Sequence, residues 1–417
     1  MSVHDLYDKR KSFFMTPPAA LRGAILASLL VGVAVLGYGF FAGEGKRVWG
    51  AFLFNLFFFF AIGLGGMALS AIQDVIGAKW ARSIRRVQEG FGAFVPVGGL
   101  LILVFIAAVS FDLGDAGKVY TWIADPSVLN AFPGKINYLQ PNWLYIRVTV
   151  IVLAIVALTF WQLGQSLKRD QALVDGDQEK AAALGQESKV KLRFWSAPVL
   201  IVYGVGFSFL CFDLTMSLMP QWFSTLWGGW QFAIMMQTLM ASMLIVMFAL
   251  KNSSIAPFLK RHHFHDVGKL MHGFTVFFAY LTYAHVLTYW YGNVPEETEY
   301  FLHRLHQPWL GFVIAVPILG FVIPLYSLVF KAAKWTAKVT IPLAVMILVA
   351  QWCSYLIVVM PQVVEAKDWT FPLIEVGMFF GMFGLFASSF TWFAKRYPMV
   401  PIADPLFVEA LAEEDHH

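Results

Sequence analysis

Residues 48–70 read VWGAFLFNLFFFFAIGLGGMALS, a run of 23 positions without a charged side chain. A helix needs about 20 apolar residues to cross the hydrocarbon of a bilayer, and this run has that length. The whole chain has 417 residues, of which 59% are hydrophobic and only 13% are charged. Soluble proteins carry roughly a quarter charged residues, so the composition excludes a set of soluble domains. It predicts a polytopic membrane protein.

The remaining apolar stretches predict an all-α integral membrane protein with ten transmembrane helices. Residues 1–22 are charged and contain Pro17 and Pro18. No convincing cleavage site follows the first apolar stretch, so we expect it to be a retained helix rather than a signal peptide. The predicted spans, within one membrane domain covering residues 1–417, are 23–42, 48–70, 92–111, 143–164, 196–217, 231–250, 267–291, 310–330, 339–360 and 371–394.

The distribution of basic residues predicts the orientation of these spans. Of 30 Lys and Arg residues, 22 fall in the N-terminus and in every second loop, and 6 fall in the alternate loops. Basic residues favour the cytoplasmic side, so both termini are expected in the cytoplasm of a multi-pass bacterial inner-membrane protein. On that side, residues 165–195 are polar and predict a short surface helix between flexible ends. The net charge of +4 is too small to indicate nucleic-acid binding.

Five ionisable residues are predicted at the outer ends of five different helices: Asp112, Arg147, Asp213, His285 and Glu375. Ionisable groups in a membrane are costly and are therefore candidates for function. Carboxylates beside an imidazole and a guanidinium suit a site that accepts protons from a bound hydroquinone. The simpler alternatives are ordinary ion pairs near the interface, a salt bridge between Asp213 and Arg147, and a hydrogen bond from His285 to another helix.

A second set of polar residues is predicted at the cytoplasmic side. The run His262–Asp266 contains three His residues and an Asp, with His265 and Asp266 adjacent, and His272 follows in the same span. Asp74 lies at the inner end of the second span. Imidazole titrates near physiological pH, so this set predicts a group that gathers protons. The spacing matches no standard metal motif, and a polar cap at the interface is the simpler alternative.

The residues predict no redox cofactor bound by this chain. Only His272 and His285 lie within spans, both in the seventh. Thirteen residues of helix place them roughly 20 Å apart, too far to sandwich one haem. Cys211 and Cys353 lie in separate apolar runs and form no cluster motif. Any electrons would therefore pass through a partner protein.

Two blocks of sequence suggest a family. Phe207–Phe232 reads FSFLCFDLTMSLMPQWFSTLWGGWQF, and His262–Arg304 begins HHFHDVGKLMHGF and contains WYGNVPEET. The chain resembles, over essentially its whole length, the large membrane subunits of bacterial alternative complex III, which belong to the NrfD/PsrC-like superfamily. Of the two paralogues, ActC and ActF, it is more similar to ActF. Asp213 and Asp266 fall on family motif positions, as do Glu296 and Glu297, whereas His285 replaces an expected Gln or other polar residue.

The resemblance implies an architecture and a set of partners. Spans two to five and six to nine would form two four-helix bundles, flanked by spans one and ten. The complex would oxidise quinol, with haem c and iron–sulfur clusters held in partner subunits and a quinone pocket possible in this one. Besides membrane lipids, the implied partners are ActC, the periplasmic iron–sulfur protein ActB, the multihaem and monohaem cytochromes c ActA and ActE, the small subunit ActD and a terminal cytochrome oxidase.

Three hypotheses for function follow. The first is a respiratory quinol:cytochrome c or high-potential-acceptor oxidoreductase subunit that contributes a proton pathway. The second is a membrane anchor that holds the periplasmic redox subunits and carries no chemistry. The third is a secondary transporter, which ten spans with buried charges also suit. Against the transporter, no pair of spans at corresponding positions is visibly interrupted, although Pro317, Pro324 and Pro342 are expected to break late helices.

Overall fold

The computed structural model describes residues 7–369 and 372–414. Within them, ten helices are long and apolar enough to cross a membrane, which confirms the predicted all-α fold with ten spans. Most extend a few residues beyond the predicted limits. Their bounds are α1 Ala19–Phe41, α2 Gly45–Ile76, α3 Arg85–Gly92 and Val95–Ser110, α4 Pro141–Val174, α5 Gln178–Leu214, α6 Trp227–Ala249, α7 Arg261–Gly292, α8 Leu310–Val329, α9 Ala337–Val363 and α10 Leu373–Arg396.

The helices pack as two four-helix bundles. In the first, α2, α3, α4 and α5 contact one another in a ring, and α6, α7, α8 and α9 form the second in the same way. Contacts of α2 with α6 and α9, and of α5 with α6, join the bundles along a shared wall. Helices α1 and α10 pair with each other, and α10 also packs on α2. This confirms the predicted arrangement of bundles and flanking helices.

An even number of spans places both ends of the described chain on one side, here called the terminal side; the opposite side is the far side. On the terminal side, Met399 donates its backbone N–H to Phe13 at 2.9 Å, and a last helix, α11, spans Pro405–Glu414. The far-side loops contain two short helices, Thr121–Ala124 and Pro295–Leu302. Three tryptophans of the far-side loops are completely or almost completely buried: Trp122, Trp222 and Trp309.

The prediction of a separate surface helix at 165–195 is wrong. Helix α4 continues to Val174 and α5 begins at Gln178, so the two spans are joined by a three-residue turn. Asp177 caps α5 by accepting a hydrogen bond from the Lys180 N–H at 2.9 Å. The segment is rich in Ala, Leu, Glu and Lys, which favour a helix once one has started. Because the two extensions pack together, they form a helical hairpin that protrudes on the terminal side.

Two spans are interrupted, each for a local reason. In α8, Pro317 lacks the N–H that a regular helix needs, and residues Ile318–Val322 form a π-helical segment. In α3, the helix is re-formed after Phe94, with a proline in the first turn of the second segment. Pro342, in contrast, lies inside a continuous α9, so the expected break there does not occur.

Candidate functional site

The far end of the first bundle contains a buried carboxylate. Asp213, near the end of α5, is fully buried and accepts two hydrogen bonds from Arg147 of α4, at 2.7 and 2.5 Å. Tyr138 donates its hydroxyl to the same carboxylate at 2.9 Å, and the Arg147 guanidinium lies 3.9 Å from the centre of the Tyr138 ring. The salt bridge between Asp213 and Arg147, one of the sequence-based alternatives, is therefore present.

Aromatic side chains of the far-side loops cover this carboxylate. Tyr120 donates to the backbone carbonyl of Leu214 at 3.0 Å, and Trp122 donates to that of Ser217 at 2.9 Å. Burial, together with the nearby charge of Asp213, raises the pKa of Tyr138. A tyrosine with a raised pKa stays protonated at neutral pH and remains a hydrogen-bond donor to the carboxylate.

His285 of α7 lies in the second bundle and makes a different set of contacts. Its Nε2 is 2.8 Å from the hydroxyl of Ser224, in the loop before α6. The Trp227 and Trp230 rings approach the imidazole edge-on. A cavity of about 140 Å³ beside it is lined by Ser224, His285, Thr288, Tyr289 and Glu297, among others. The far side thus holds a second polar group, separate from the carboxylate of the first bundle.

Glu375 and Asp112 belong to neither group. Glu375 of α10 is buried and accepts hydrogen bonds from Arg47 of α2, at 2.8 and 3.1 Å. Asn55 donates to the backbone carbonyl of Glu375 at 3.1 Å. Asp112 is exposed, has a φ of 48°, and accepts the N–H of Gly117 within its own loop at 2.9 Å. The five predicted far-side residues therefore form separate groups rather than a single site.

The terminal side of the first bundle contains a larger buried charged network. Asp74 of α2 pairs with Arg85 and, at 2.8 Å, with Arg82. Glu89 pairs with Arg85 at 2.7 Å and with Arg86. Each member of the network is at most 4% exposed. The eight side chains are four guanidinium groups and four carboxylates: Arg82, Arg85, Arg86, Arg169, Asp74, Glu89, Asp170 and Asp404.

The C-terminal segment supplies one of these carboxylates. Asp404, just before α11, binds Arg169 at 2.6 Å and Arg82 at 3.5 Å. Burial opposes its ionisation, but Arg169, Arg82 and Arg85 together outweigh burial and hold the pKa of Asp404 below its ordinary value. A cavity of about 330 Å³ between Asp404 and Asp74 leads from this network to the surface.

Sequence reasoning found only Asp74 of this network. The alternation of basic loops predicts that Arg82, Arg85 and Arg86 lie in a loop, whereas the structure buries them at the start of α3 and in the turn before it. A signal was present, because Arg82, Arg85, Arg86 and Glu89 are spaced i, i+3, i+4 and i+7, the spacing of one helix face. Asp404 had no such signal, since it follows the last span in a loop.

The other predicted terminal-side residues lie on the second bundle, at the start of α7. Asp266 binds Lys269 at 2.7 Å and lies 3.6 Å from His265, and all three are partly exposed. His272 lies further along α7, and its Nδ1 is buried without a hydrogen-bond partner in the described part of the chain. These residues form a surface group that is distinct from the buried network around Asp74.

Uncharged polar side chains continue from these groups into both bundles. In the first, Gln162 of α4 donates to the Met67 carbonyl at 3.1 Å and accepts from Tyr203 at 3.2 Å. In the second, Gln237 of α6 donates to the carbonyl of Gly320, in the π-helical segment, at 2.8 Å and to Thr275 at 2.9 Å. A single glutamine lowers the mean hydropathy of an apolar span only slightly, so a hydropathy window does not reveal these residues.

Two atoms near the Gln237 group have unsatisfied hydrogen-bonding capacity. Gln351 of α9 donates to Gln237 at 2.5 Å, but its own carbonyl oxygen has no partner among the described residues. One helical turn further along α9, the hydroxyl of Tyr355 is also buried and unpaired there. Buried polar groups are normally hydrogen-bonded, so these two positions are suited to hold water between the helices.

Within the described residues, no group of three or more His, Cys, Asp or Glu side chains is arranged to hold a metal ion. Cys211 and Cys353 are both buried and free. Comparisons of the sequence with family models and with curated proteins give no match.

Proposed function

We propose that this chain is a membrane subunit of a quinol-oxidising respiratory complex of the alternative complex III type, similar to ActF. In this proposal the terminal side faces the cytoplasm and the chain contributes a proton pathway. The sequence blocks around Asp213 and Asp266 support the family. The two four-helix bundles with polar interiors are compatible with it. Haem c and iron–sulfur clusters would belong to the partner subunits.

One observation carries the proposal of a proton pathway. Helix α4 has a buried stripe of polar side chains, Asp170, Ser166, Gln162 and Thr159, spaced by four, four and three residues. Such spacing places them on one face, and the 11 residues cover about 17 Å, from the terminal-side hairpin into the membrane span. Buried polar residues in a membrane helix are costly and therefore indicate a function.

The contacts of this stripe would supply the terminal-side part of the path, as far as Tyr203. Arg86 joins Ser166 to the charged network, with an N–H···O distance of 3.1 Å to the serine hydroxyl. Tyr203 lies 3.2 Å from both Gln162 and Thr159. Hydroxyl groups relay protons when water connects them, and an amide side chain orients such water by hydrogen bonds. The path would begin at the cavity between Asp404 and Asp74 and lead toward Asp213.

On the far side, Asp213 would exchange the proton. Arg147 and Tyr138 donate hydrogen bonds to its carboxylate, so the protonation of Asp213 depends on both partners. A quinone bound on the same side would occupy the cavity beside His285. There, the His285 imidazole and the Ser224 hydroxyl can hydrogen-bond to its polar head group. Electrons from a bound quinol would leave through clusters in the partner subunits.

The test is quinol-dependent turnover of the assembled complex carrying Asp213→Asn or Gln162→Leu. Both variants are expected to enter the complex in normal amounts while turnover falls at least tenfold for Asp213→Asn, because an amide cannot accept the proton. Asp112→Asn, on the exposed loop, is the matched control and should leave turnover unchanged. Normal turnover and normal proton release with Asp213→Asn would refute the proposed role.

The structural-anchor hypothesis also has an observation in its favour. Asp213 and Glu375 are both paired with arginines, as expected of residues that only stabilise helix packing. On that hypothesis, turnover in every variant would follow the amount of assembled complex and nothing else. The transporter hypothesis is weaker, because the interrupted helices α3 and α8 occupy different positions in the two bundles.

A further inference from the structure

Helix α7 exposes an unusual surface to the bilayer. Tyr280 and Tyr283 are 64% and 63% exposed, and both hydroxyls lack a hydrogen-bond partner among the described residues. They lie on a continuous exposed stripe of this helix, which we call the α7 face. Its members are Gly273, Phe277, Tyr280, Tyr283, Leu287 and Tyr291.

These two tyrosines lie deep in the membrane. Trp290, exposed near the far end of α7, is typical of the aromatic belt at a membrane interface. Tyr280 precedes it by ten residues, which is about 15 Å along the helix and about half the hydrocarbon thickness. Tyr283 lies about 10 Å below the belt by the same measure. Both hydroxyls are therefore too deep to reach interfacial water.

At the corresponding depth, the exposed side chains of other helices are apolar. Leu153 of α4 lies ten residues from Trp143, an exposed tryptophan at the far end of that helix, and it is 54% exposed. Exposed side chains in the middle of α1, α5 and α8 are also aliphatic: Leu30, Ile201 and Ile318. A hydroxyl transferred into hydrocarbon without a partner costs several kcal/mol. Lipid tails offer no acceptor, so a bilayer alone does not account for the α7 face.

We propose that the α7 face binds a transmembrane helix of a different subunit, whose backbone carbonyls or Ser and Thr hydroxyls accept hydrogen bonds from Tyr280 and Tyr283. Gly273, on the same stripe, has open space where a Cβ would be, which allows a helix backbone to approach. This inference does not depend on the proposed respiratory function, because any assembly of membrane helices would satisfy the hydroxyls.

Charge argues against a second copy of this chain as the occupant. Lys269 continues the stripe one turn before Gly273, and its side chain is 56% exposed even though it pairs with Asp266. Two copies related by an axis normal to the membrane would bring Lys269 toward its own counterpart. Like charges at such a contact are unfavourable, whereas a different subunit can offer a neutral or acidic side chain at that level.

The first experiment places the photo-crosslinker p-benzoylphenylalanine at position 280 or 283 and irradiates native membranes. Position 153, at the depth of position 280, is the matched control. The expected result is one protein adduct from 280 and 283, whose crosslinked peptide lies in a transmembrane helix of a different, stoichiometric subunit, and only lipid adducts from 153. Lipid adducts alone at 280 and 283, or an adduct with a second copy of this chain, would overturn the inference.

A second experiment removes the hydroxyls and keeps the rings. In Tyr280→Phe/Tyr283→Phe, association with the crosslinked subunit should fall about tenfold, the size expected for two hydrogen bonds between membrane helices. Tyr326→Phe, exposed near the terminal-side end of α8, is the control and should leave association unchanged. Unchanged association in the double variant would show that the hydroxyls do not bind a partner.

Discussion

Arg304 is a buried cation that no carboxylate balances within the described residues. Its guanidinium donates to the backbone carbonyls of Tyr300 at 2.6 Å, Ile357 at 2.7 Å and Val358 at 3.1 Å. It also lies 3.6 Å from the centre of the Tyr300 ring. The side chain thereby joins the short helix Pro295–Leu302 to α9. Burial lowers the pKa of Arg304, but an arginine remains charged at any physiological pH.

Arg304→Lys is therefore expected to destabilise the protein. A lysine ammonium cannot place donors on three carbonyls in the plane of a guanidinium, and it loses the stacking on Tyr300. Losing one or two hydrogen bonds from a charged donor costs about 2–4 kcal/mol. The measurement is the midpoint of thermal unfolding in mild detergent. Arg22→Lys, exposed at the start of α1, is the control, and equal midpoints for the two variants would contradict this account.

The buried pair of Arg47 and Glu375 permits a test by double substitution. Removing Glu375 leaves the buried Arg47 with only the partly exposed Glu44, at 2.9 Å, as a charged partner. Glu375→Leu should therefore cost up to about 3–5 kcal/mol of stability. Replacing both, in Arg47→Met/Glu375→Leu, should recover most of that loss, because a well-packed apolar pair is often as stable as a buried ion pair. Chemical-denaturation midpoints of the two variants measure the difference. If the double variant is no more stable than the single one, the pair is not coupled as described.

At single residues, a contact could be predicted from the sequence where both partners are charged side chains in otherwise apolar spans. The salt bridge between Asp213 and Arg147, one of the alternatives that the sequence offers for this reason, is present. The buried cluster around Arg85 was missed because a hydropathy window assigns any arginine-rich segment to a loop. Gln237 and Gln351 were missed because an amide raises no signal in such a window. The position of Asp404 could not be predicted, because it depends on the path of the C-terminal chain, which only tertiary packing determines.

At the scale of elements, close packing of glycines joins α1 to α10. A Cβ added to Gly32 would lie 2.4 Å from the Cα of Gly381, and one added to Gly377 would lie 2.3 Å from Val35. The contact therefore requires small residues, as in many membrane helix pairs. The composition of α1 alone does not reveal this, because Gly37 of the same helix faces open space.

Gly32→Leu should separate α1 from α10. Overpacking of this kind costs about 1–3 kcal/mol where the backbone can shift. Gly37→Leu, five residues further along the same exposed helix, is a matched control and should have little effect. Thermal unfolding in detergent distinguishes them, and a Gly32→Leu midpoint as high as that of Gly37→Leu would contradict the contact.

At the scale of the whole molecule, the resemblance implied the two bundles and the structure confirmed them. Alternating basic loops predicted an even number of spans, since a miscounted helix would have disturbed the pattern. The hairpin of α4 and α5 was predicted wrongly because its polar composition reads as a loop. No sequence pattern predicted that the C-terminal segment packs against the terminal side of the first bundle, where Asp404 binds Arg169 and Arg82.

This closure predicts a dependence of stability on pH. Three arginines hold the pKa of Asp404 below the ordinary aspartate value of about 3.9. Its ionised form therefore stabilises the fold above about pH 4, and this contribution is lost as pH falls further, because the unfolded chain takes up a proton first. Wild type should be more stable than Asp404→Asn at pH 7, and the difference should shrink between pH 5 and pH 3. A constant difference in unfolding midpoint over that range would contradict the proposed pairing.

The complete burial of α2 has a consequence for biosynthesis. Its apolar core is shielded on all sides, partly by α9 and α10, which are made last. Asn55 and its hydrogen-bond partner Glu375 are separated by 320 residues in the sequence. At about 5–20 residues per second, translation of that interval takes roughly 15–60 s. During this time α2 stays in contact with lipid, and Glu375 is not yet present to bind Arg47. We therefore expect the newly made protein to be most sensitive to quality-control proteases before its last helix enters the membrane.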